Sequence, residues 1–339
     1  MKTLIACAAF ALSAAIAGPA LPQAFAGGRE DKNPGSLRMA LISMKCLYSD
    51  SGDAQANRKN VQANLDRHVY FIDQAAAHGA EFVGFPELSI NGYHFSRDTT
   101  WLSLNGPEVK ALAQQAARKG VYLSVGLAER DAEGKKWNTQ VLIGPDGKIV
   151  GFHHKIWLTK EQGFTEAGAE HRVFPVKGFK MGIATCADGT NYLNLKALVD
   201  NGAQIIYGPH ANTTGGTLAG WYRFRAAWGG AWDGRFVPAG KNSPDPVAQV
   251  PSGGWINQLK VYAALHNHAG LYHSEYNPPV ATDKNTGFAS GAWFIGPDGA
   301  TLAQVPASTQ KSDSKEYMLF CNVPVGKPPA TNPAAAPSP

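Results

Sequence analysis

Three residues able to take part in nucleophilic catalysis, Glu87, Lys155 and Cys186, each follow an apolar stretch of this 339-residue chain. Cys186 comes after a predicted strand at 181–184 and before a predicted helix at 192–200. A sulfur in that position lies near backbone N–H groups and the positive end of a helix, which favours the thiolate. A buried cysteine without a chemical role is the commoner occurrence. The local pattern therefore leaves both interpretations open.

The other two residues supply what a reactive thiol needs, a base for its proton and a positive group for the oxyanion. Glu87 follows the buried strand predicted at 81–85, where desolvation would raise the pKa of a carboxylate towards that of a useful base. Lys155 follows a hairpin predicted from strands at 139–143 and 148–152 around a Gly-Pro-Asp-Gly turn. A single Glu or Lys is usually a solvated surface charge. Their shared position at strand ends favours a common site.

The elements that would position these residues alternate between strands and helices, which predicts an α/β protein with mixed sheets. Further strands are predicted at 37–44, 121–128 and 204–207, and further helices at 53–79 and 108–119. Three segment pairs look alike: 38–42 and 180–184, 78–87 and 201–210, 143–147 and 295–299. A repeat of this kind predicts two sheets packed face to face with a site between their strand ends. Chance similarity of β-α-β units is the alternative.

The ends of the chain have a different composition. Residues 1–26 combine one Lys, an apolar run and a small-x-small ending, which predicts a signal peptide cleaved before Gly27 and a periplasmic or secreted protein. The apolar run at 4–17 is too short for a membrane anchor. We expect a flexible leader at 27–36, one catalytic domain at 37–325 and a disordered Pro/Ala-rich tail at 326–339. A Trp- and Gly-rich insertion at 213–260 has the composition of a lid, a binding loop or an interface.

Charge and metal-ligand patterns exclude several classes of function. The chain carries 31 basic and 26 acidic residues, scattered without arginine-rich arms, so we expect no nucleic-acid partner. The histidine pairs lack further ligands at metal-binding spacing, and no Gly-rich phosphate loop occurs, so we expect neither a metal nor another cofactor. Cys46, Cys186 and Cys321 remain after cleavage, an odd number that leaves at least one thiol outside any intrachain disulfide. A Cys46–Cys321 bridge stays open.

Three motifs occur in series: Gly84-Phe85-Pro86-Glu87-Leu88 with Gly92-Tyr93, His154-Lys155 with Glu161 and Gly168, and Ile183-Ala184-Thr185-Cys186-Ala187-Asp188. Together they resemble the nitrilase, or carbon–nitrogen hydrolase, superfamily, over residues 37–325. The stretch from Ser290 to Gly299 is similar to the closing hairpin of that family. The resemblance implies an α/β fold with four α-β-β-α layers and two mixed sheets. Cys-Ala-Asp-Gly is closer to the amidase-like Cys-x-Asp pattern than to the Cys-Trp-Glu of nitrilases.

The resemblance also implies roles for single residues. Glu87 is expected to act as the general base, Lys155 to stabilise the oxyanion, and Cys186 to form a thioester. The backbone N–H of Ala187 would complete the oxyanion hole, and Glu161 would be the second glutamate that positions substrate. Substrate binding is thus expected at four residues: Glu161, Tyr93, Ala187 and His210.

The implied activity is cofactor-free hydrolysis of a small non-peptide amide by an exported enzyme. A nitrilase or an N-acyltransferase of the same fold is one alternative, and a catalytically inactive binding protein is another. The expected partner is a small-molecule amide or nitrile, with no nucleic acid and no membrane anchor. Substrate identity and assembly into a homo-oligomer are left open by the sequence.

Overall fold

The computed structural model describes residues 35–49, 52–93, 99–158, 163–211, 256, 259–270, 288–305 and 315–324. The predicted signal peptide, the Pro/Ala-rich tail and nearly all of the leader and of the insertion at 213–260 lie outside these residues. The predictions made for them therefore stay predictions. No helix in the described part of the chain is long and apolar enough to cross a bilayer.

Fourteen strands, three α-helices and one 3₁₀ turn make up the described structure. The strands are β1 (Ser36–Ser43), β2 (Phe82–Gly84), β3 (Tyr122–Arg130), β4 (Lys136–Ile143), β5 (Ile149–His154), β6 (Val173–Val176), β7 (Phe179–Ile183), β8 (Ile205–His210), β9 (Tyr262–Asn267), β10 (Ala269–Gly270), β11 (Phe288–Ala289), β12 (Ala292–Ile295), β13 (Thr301–Val305) and β14 (Tyr317–Pro324). The helices are α1 (Ala54–Ala77), α2 (Pro107–Lys119) and α3 (Tyr192–Asp200), and the 3₁₀ turn is Cys186–Thr190.

Two six-stranded mixed sheets form the centre of the fold, as the sequence predicted. The first has the order β14-β1-β2-β3-β4-β5 and the second β13-β12-β9-β8-β7-β6. In each sheet the three central strands are parallel (β1, β2 and β3; β7, β8 and β9), and the outer strands pair antiparallel. The carboxyl ends of parallel strands meet at one edge of a sheet, which is where Glu87 and Cys186 follow β2 and β7.

Three apolar clusters separate the four layers. One packs helices α1 and α2 on the first sheet, one lies between the sheets, and one packs α3 on the second sheet. Burial of these side chains is the main driving force for stacking the layers. Representative members are Ile72, Leu112 and Val125 in the first cluster, Met39, Phe82 and Met181 in the second, and Leu198, Ile206 and Leu265 in the third. The fold is thus the α-β-β-α sandwich that the resemblance implied.

The internal repeat is present in the structure. Its paired segments occupy β1 and β7, the approaches to β2 and β8, and the β4–β5 and β12–β13 turns. Equivalent hydrogen bonds also recur: Arg38 N–H donates to the Glu81 side chain and Lys180 N–H to that of Gln204, each at 3.0 Å. The two sheets therefore share one strand order and local contacts, which excludes chance similarity of isolated β-α-β units.

The open question about a Cys46–Cys321 disulfide is answered by the sheet register. Cys321 faces Met39 in the β1–β14 ladder, whereas Cys46 lies seven residues beyond Met39 and past the end of β1. Neither cysteine is bonded to the other.

Candidate active site

Glu87 is fully buried and lies three residues after β2 ends at Gly84. Directly after it, Leu88 takes a left-handed backbone conformation with φ 54°. Gly126 of β3 makes this turn feasible, because a Cβ at that position would overlap the backbone nitrogen of Leu88. The carboxylate is therefore held by a short, strained connection that depends on one close backbone approach.

The ammonium of Lys155 lies 2.7 Å from Oε1 of Glu87, and both side chains are fully buried. Asn138 of β4 donates its side-chain amide to the same oxygen at 2.8 Å. Its backbone carbonyl also accepts the N–H of Lys155 at 2.9 Å. Two charges are expensive to bury, and an apolar pair is often at least as stable. Such a pair indicates a functional site more than a structural one.

Cys186 opens the 3₁₀ turn after β7 and is 8% exposed. Its φ of 48° is left-handed, a conformation that costs a non-glycine residue about 1–3 kcal/mol and is found mainly at functional sites. The predicted helix start at Tyr192 is confirmed, and a 3₁₀ turn fills the interval between Cys186 and this helix. Helix α3 begins at Tyr192, because the side chain of Asn191 caps it through a 2.9 Å hydrogen bond to Leu193 N–H.

Asp188, two residues after Cys186, bonds the 3₁₀ turn to the chain around Lys155. Its Oδ1 accepts the backbone N–H groups of Ile156 and Trp157 at 3.0 and 2.7 Å. Its Oδ2 lies 2.7 Å from Nε2 of His153. The turn that bears the thiol and the loop that bears the ammonium are therefore joined by three hydrogen bonds to one buried carboxylate.

A tyrosine of β8 and a histidine directly after β9 also hold the chain segment that carries Glu87. The Tyr207 hydroxyl donates to the carbonyl of Phe85 at 2.8 Å, and Nε2 of His268 donates to the carbonyl of Glu87 at 2.6 Å. Burial lowers the pKa of His268 to about 4, so this imidazole is neutral near pH 7. Gly84 leaves room for the tyrosine, since a Cβ there would stand 2.7 Å from its hydroxyl.

Two of the predicted substrate-binding residues lie beside Lys155. The centre of the half-buried Tyr93 ring is 6.0 Å from Nζ of Lys155, within reach of a cation–π contact. His210 ends β8 and is fully buried. Burial first, then His266 and the charge of Lys155, lower the pKa of His210 to about 3. It is therefore a neutral imidazole in the electrostatic field of the lysine.

The remaining predicted residues have different outcomes. Ala187 is buried in the 3₁₀ turn beside Cys186, and the role of its N–H group stays a prediction. Glu161 lies outside the described residues.

Sequence reasoning missed Asn138 and the contact of His153 with Asp188. Asn138 stands among the polar residues Lys136, Thr139 and Gln140 of β4, so the sequence does not single it out. The contact of His153 with Asp188 depends on a distance between sheets that no spacing reveals.

A family model described as carbon-nitrogen hydrolase matches residues 53–311 of the chain. Among curated relatives, Nitrilase 3 of Arabidopsis thaliana is 26% identical over 200 residues, which cover 52% of this chain and 55% of the relative. Omega-amidase NIT2 of Xenopus tropicalis is 30% identical over 160 residues, which cover 44% of this chain and 58% of the relative. The chain spans about half the length of the curated relatives it matches.

Solved structures share the fold at low identity. An amidase from Nesterenkonia sp. has a TM-score of 0.60 at 18% identity and covers 86% of this chain and 92% of its own. Nit3 of Saccharomyces cerevisiae, a member of the nitrilase superfamily, has a TM-score of 0.59 at 18% identity, with 86% and 90% covered. A mutant of the Nesterenkonia amidase, with a TM-score of 0.61, 17% identity and 88% and 94% covered, shows the acetamide moiety of fluoroacetamide added covalently at its active-site cysteine.

Proposed function

Because this chain belongs to the carbon-nitrogen hydrolase family, we propose that it is an exported amidase that hydrolyses a small non-peptide amide through a thioester on Cys186. The buried 2.7 Å contact between Lys155 and Glu87 is the observation that carries the proposal. It supplies a base and an oxyanion-stabilising cation in one water-poor site, where both act more strongly than in bulk solvent.

In the first half of the reaction, Glu87 takes the proton of Cys186 while the sulfur attacks the amide carbon. The carbonyl oxygen becomes an oxyanion that Lys155 Nζ and the Ala187 N–H stabilise. When the C–N bond breaks, Glu87 returns its proton to the departing nitrogen, so that ammonia or an amine leaves. The acyl group stays on sulfur as a thioester.

In the second half, Glu87 takes a proton from water, and the resulting hydroxide attacks the thioester carbon. The same donors stabilise the second oxyanion. Collapse breaks the C–S bond, releases the carboxylic acid and returns the proton to sulfur. Every group used is a side chain or N–H of the chain plus one water molecule, so the cycle needs no metal or organic cofactor. One oxyanion donor of this kind contributes roughly 10²–10³ in rate.

Three features support the finer parts of the proposal. The Cys-Ala-Asp order at 186–188 favours an amide over a nitrile, by resemblance to the amidase branch. Tyr93 near Lys155 and the neutral imidazole of His210 are uncharged side chains, which suits an uncharged substrate. Export rests on the composition of residues 1–26.

The test is intact-mass measurement after brief incubation with a panel of small aliphatic and aromatic amides. We expect a mass increase equal to the acyl group, located on Cys186 by peptide mapping and absent in Cys186→Ala. Wild-type protein that gains no acyl mass and releases no ammonia or amine with any amide would overturn the proposal.

Nitrile hydrolysis and acyl transfer are the competing outcomes, and one product analysis separates all three. An amidase releases the acid and an amine from an amide and leaves the matching nitrile unchanged. A nitrilase consumes the nitrile. An acyltransferase yields a new amide when a second amine is added. An inactive binding protein would show Cys186 reacting with iodoacetamide no faster than in the denatured chain.

A further inference from the structure

Asp188 links the two sheets by accepting hydrogen bonds from residues on both sides of Lys155. Its three donors come from His153, Ile156 and Trp157, one before the lysine and two after it. The carboxylate itself comes from the other sheet, two residues after Cys186. Asp188 and His153 are 2% and 3% exposed at their side chains, so solvent does not compete for these contacts.

We propose that the His153–Asp188 pair is a positioning device that fixes the thiol of Cys186 and the ammonium of Lys155 relative to each other. This inference rests on the proposed function, in which sulfur and ammonium must meet one carbonyl group. Misplacement of a reacting group by about 1 Å can cost roughly 10² in rate. The pair acts through the backbone on both sides and does not touch the substrate.

The strained backbone of Cys186 explains why such a device is needed. A left-handed non-glycine residue persists only where its surroundings fix it. Asp188 is part of those surroundings, since its N–H donates to the Thr185 carbonyl at 3.0 Å across the cysteine. The two backbone donors hold Oδ1 of Asp188. His153 holds Oδ2, so the carboxylate cannot rotate and release the turn.

The neighbouring histidine provides a natural control. His154 points to the opposite face of β5, where it stacks on Trp137 with ring centres 4.1 Å apart and contacts Glu129 at 3.1 Å. His154 and Glu129 thus form a second histidine–carboxylate pair, one residue further along the same strand. Among the described residues, no observed hydrogen bond joins His154 to the 3₁₀ turn. His154→Ala therefore removes a histidine and its contact with a buried carboxylate, while the hydrogen bonds to Asp188 stay in place.

A cavity beside β5 makes the inference testable by chemical rescue. His153 and His154 both line this cavity of about 190 Å³, together with Phe152, Gly168 and Arg172 among others. Because His153 is one of the lining residues, we expect the space left by its ring in His153→Ala to open into that cavity. Imidazole from solution can then enter and donate to Asp188.

We expect His153→Ala to lower kcat by roughly 10²-fold with little change in KM, because positioning and not substrate affinity is lost. Added imidazole should restore part of kcat. His153→Gln, which keeps an N–H donor, should retain more activity than Ala. Asp188→Asn should lose as much as His153→Ala, and the double variant should lose no more than either, since the two residues act as one unit. His154→Ala should keep kcat and should not respond to imidazole.

Each result decides the inference. Near wild-type kcat in His153→Ala, losses that multiply in the double variant, or equal imidazole responses in the His153 and His154 variants would overturn it. Should the Ala variant fail to fold, His153→Gln is measured instead, and a folded Gln variant whose KM rises while kcat stays constant overturns it as well. Failure of the proposed function would be seen differently, as wild-type protein that forms no thioester.

Discussion

The side-chain amide of Asn138 donates a 2.8 Å hydrogen bond to Oε1 of Glu87. The same oxygen receives the ammonium of Lys155, whose backbone N–H bonds to the Asn138 carbonyl. One residue of β4 thus orients the carboxylate and anchors the lysine. A hydrogen bond to a charged group is worth about 1.5–3 kcal/mol, so this contact is a substantial part of the site.

We predict that Asn138→Leu lowers kcat by roughly 10–10²-fold, the equivalent of that hydrogen bond. Loss of a donor to the ionised carboxylate should also raise its pKa, because the charged form loses stabilisation. The acid limb of the kcat/KM profile should therefore move to higher pH. Stopped assays across pH 4–9 measure both effects.

The control for Asn138 is Gln140→Leu on the same face of β4. Gln140 bonds to Ser124 and to the Phe85 carbonyl, and no observed hydrogen bond joins it to the Glu87 carboxylate. Its variant should lose stability and keep the position of the acid limb. If both variants move that limb equally, Asn138 has no special relation to Glu87.

Replacing the thiol is predicted to abolish turnover and spare the fold. Cys186→Ser should reduce kcat to a small residual value, because an alcohol is far less acidic than a thiol and does not form the anion near pH 7. Thermal unfolding and circular dichroism should match the wild type. A folded Ser variant that retains substantial turnover would remove Cys186 from the mechanism.

Much of the fold, and the strand-end positions of the candidate site residues, could be predicted, because local pattern determines them. Helix α3 occupies the predicted residues 192–200, and the recurring segments correctly predicted two sheets of like topology. The position of Glu87, Lys155 and Cys186 after strand ends predicted that all three lie at one edge of the sandwich. These features depend on periodicity, turns and order along the chain, all of which a single sequence displays.

What could not be predicted depends on distances across the sandwich. Asn138 reaches Glu87 because of the register in which β4 pairs with β3. Gly126 contributes by leaving room for the backbone of Leu88. His153 meets Asp188 only because the two sheets stack at this edge. The short strand β6, which contains Pro175, lacks an alternating pattern and was missed. The 3₁₀ turn at Cys186–Thr190 was missed as well, because so short an element has no periodic pattern of its own.

We predict that activity requires the buried Glu87–Lys155 ion pair, whereas an apolar pair at the same positions would keep the fold stable. Glu87→Gln and Lys155→Ala should each lower kcat strongly, and the double variant should lose much less than the product of the two, since the residues act together. Lys155→Met should also destabilise the fold by about 3–5 kcal/mol, because it leaves a buried carboxylate without its cation. Adding Glu87→Leu to Lys155→Met should recover most of that loss, with activity still absent.

Urea unfolding and initial rates on the same samples measure both sides of this prediction. Multiplicative rate losses would mean that the two residues do not share a site. A Leu/Met double variant no more stable than Lys155→Met would mean that the pair stabilises the fold and is not retained for chemistry.

The fold is predicted to lose stability in acid because of four buried histidines. Burial lowers the pKa of His68 and His268 to about 4 and that of His210 and His266 to about 3, from 6.5. In the unfolded chain each would bind a proton below about pH 6.5. Between that pH and the folded-state values the unfolded state holds more protons, so stability falls as pH falls. The slope contributed by each histidine is at most about 1.36 kcal/mol per pH unit.

Urea midpoints at several values from pH 8 to pH 5 test this, with proton uptake on unfolding measured in parallel. We expect a flat midpoint above pH 7, a steep fall below pH 6.5, and a shallower fall in His68→Asn. Gln140→Leu is the control, because Gln140 is a buried side chain that does not titrate and bonds to Ser124 and the Phe85 carbonyl. It should lower stability through the lost hydrogen bonds and leave the slope unchanged. A wild-type midpoint that stays constant down to pH 5 would show that these histidines are already protonated in the folded protein.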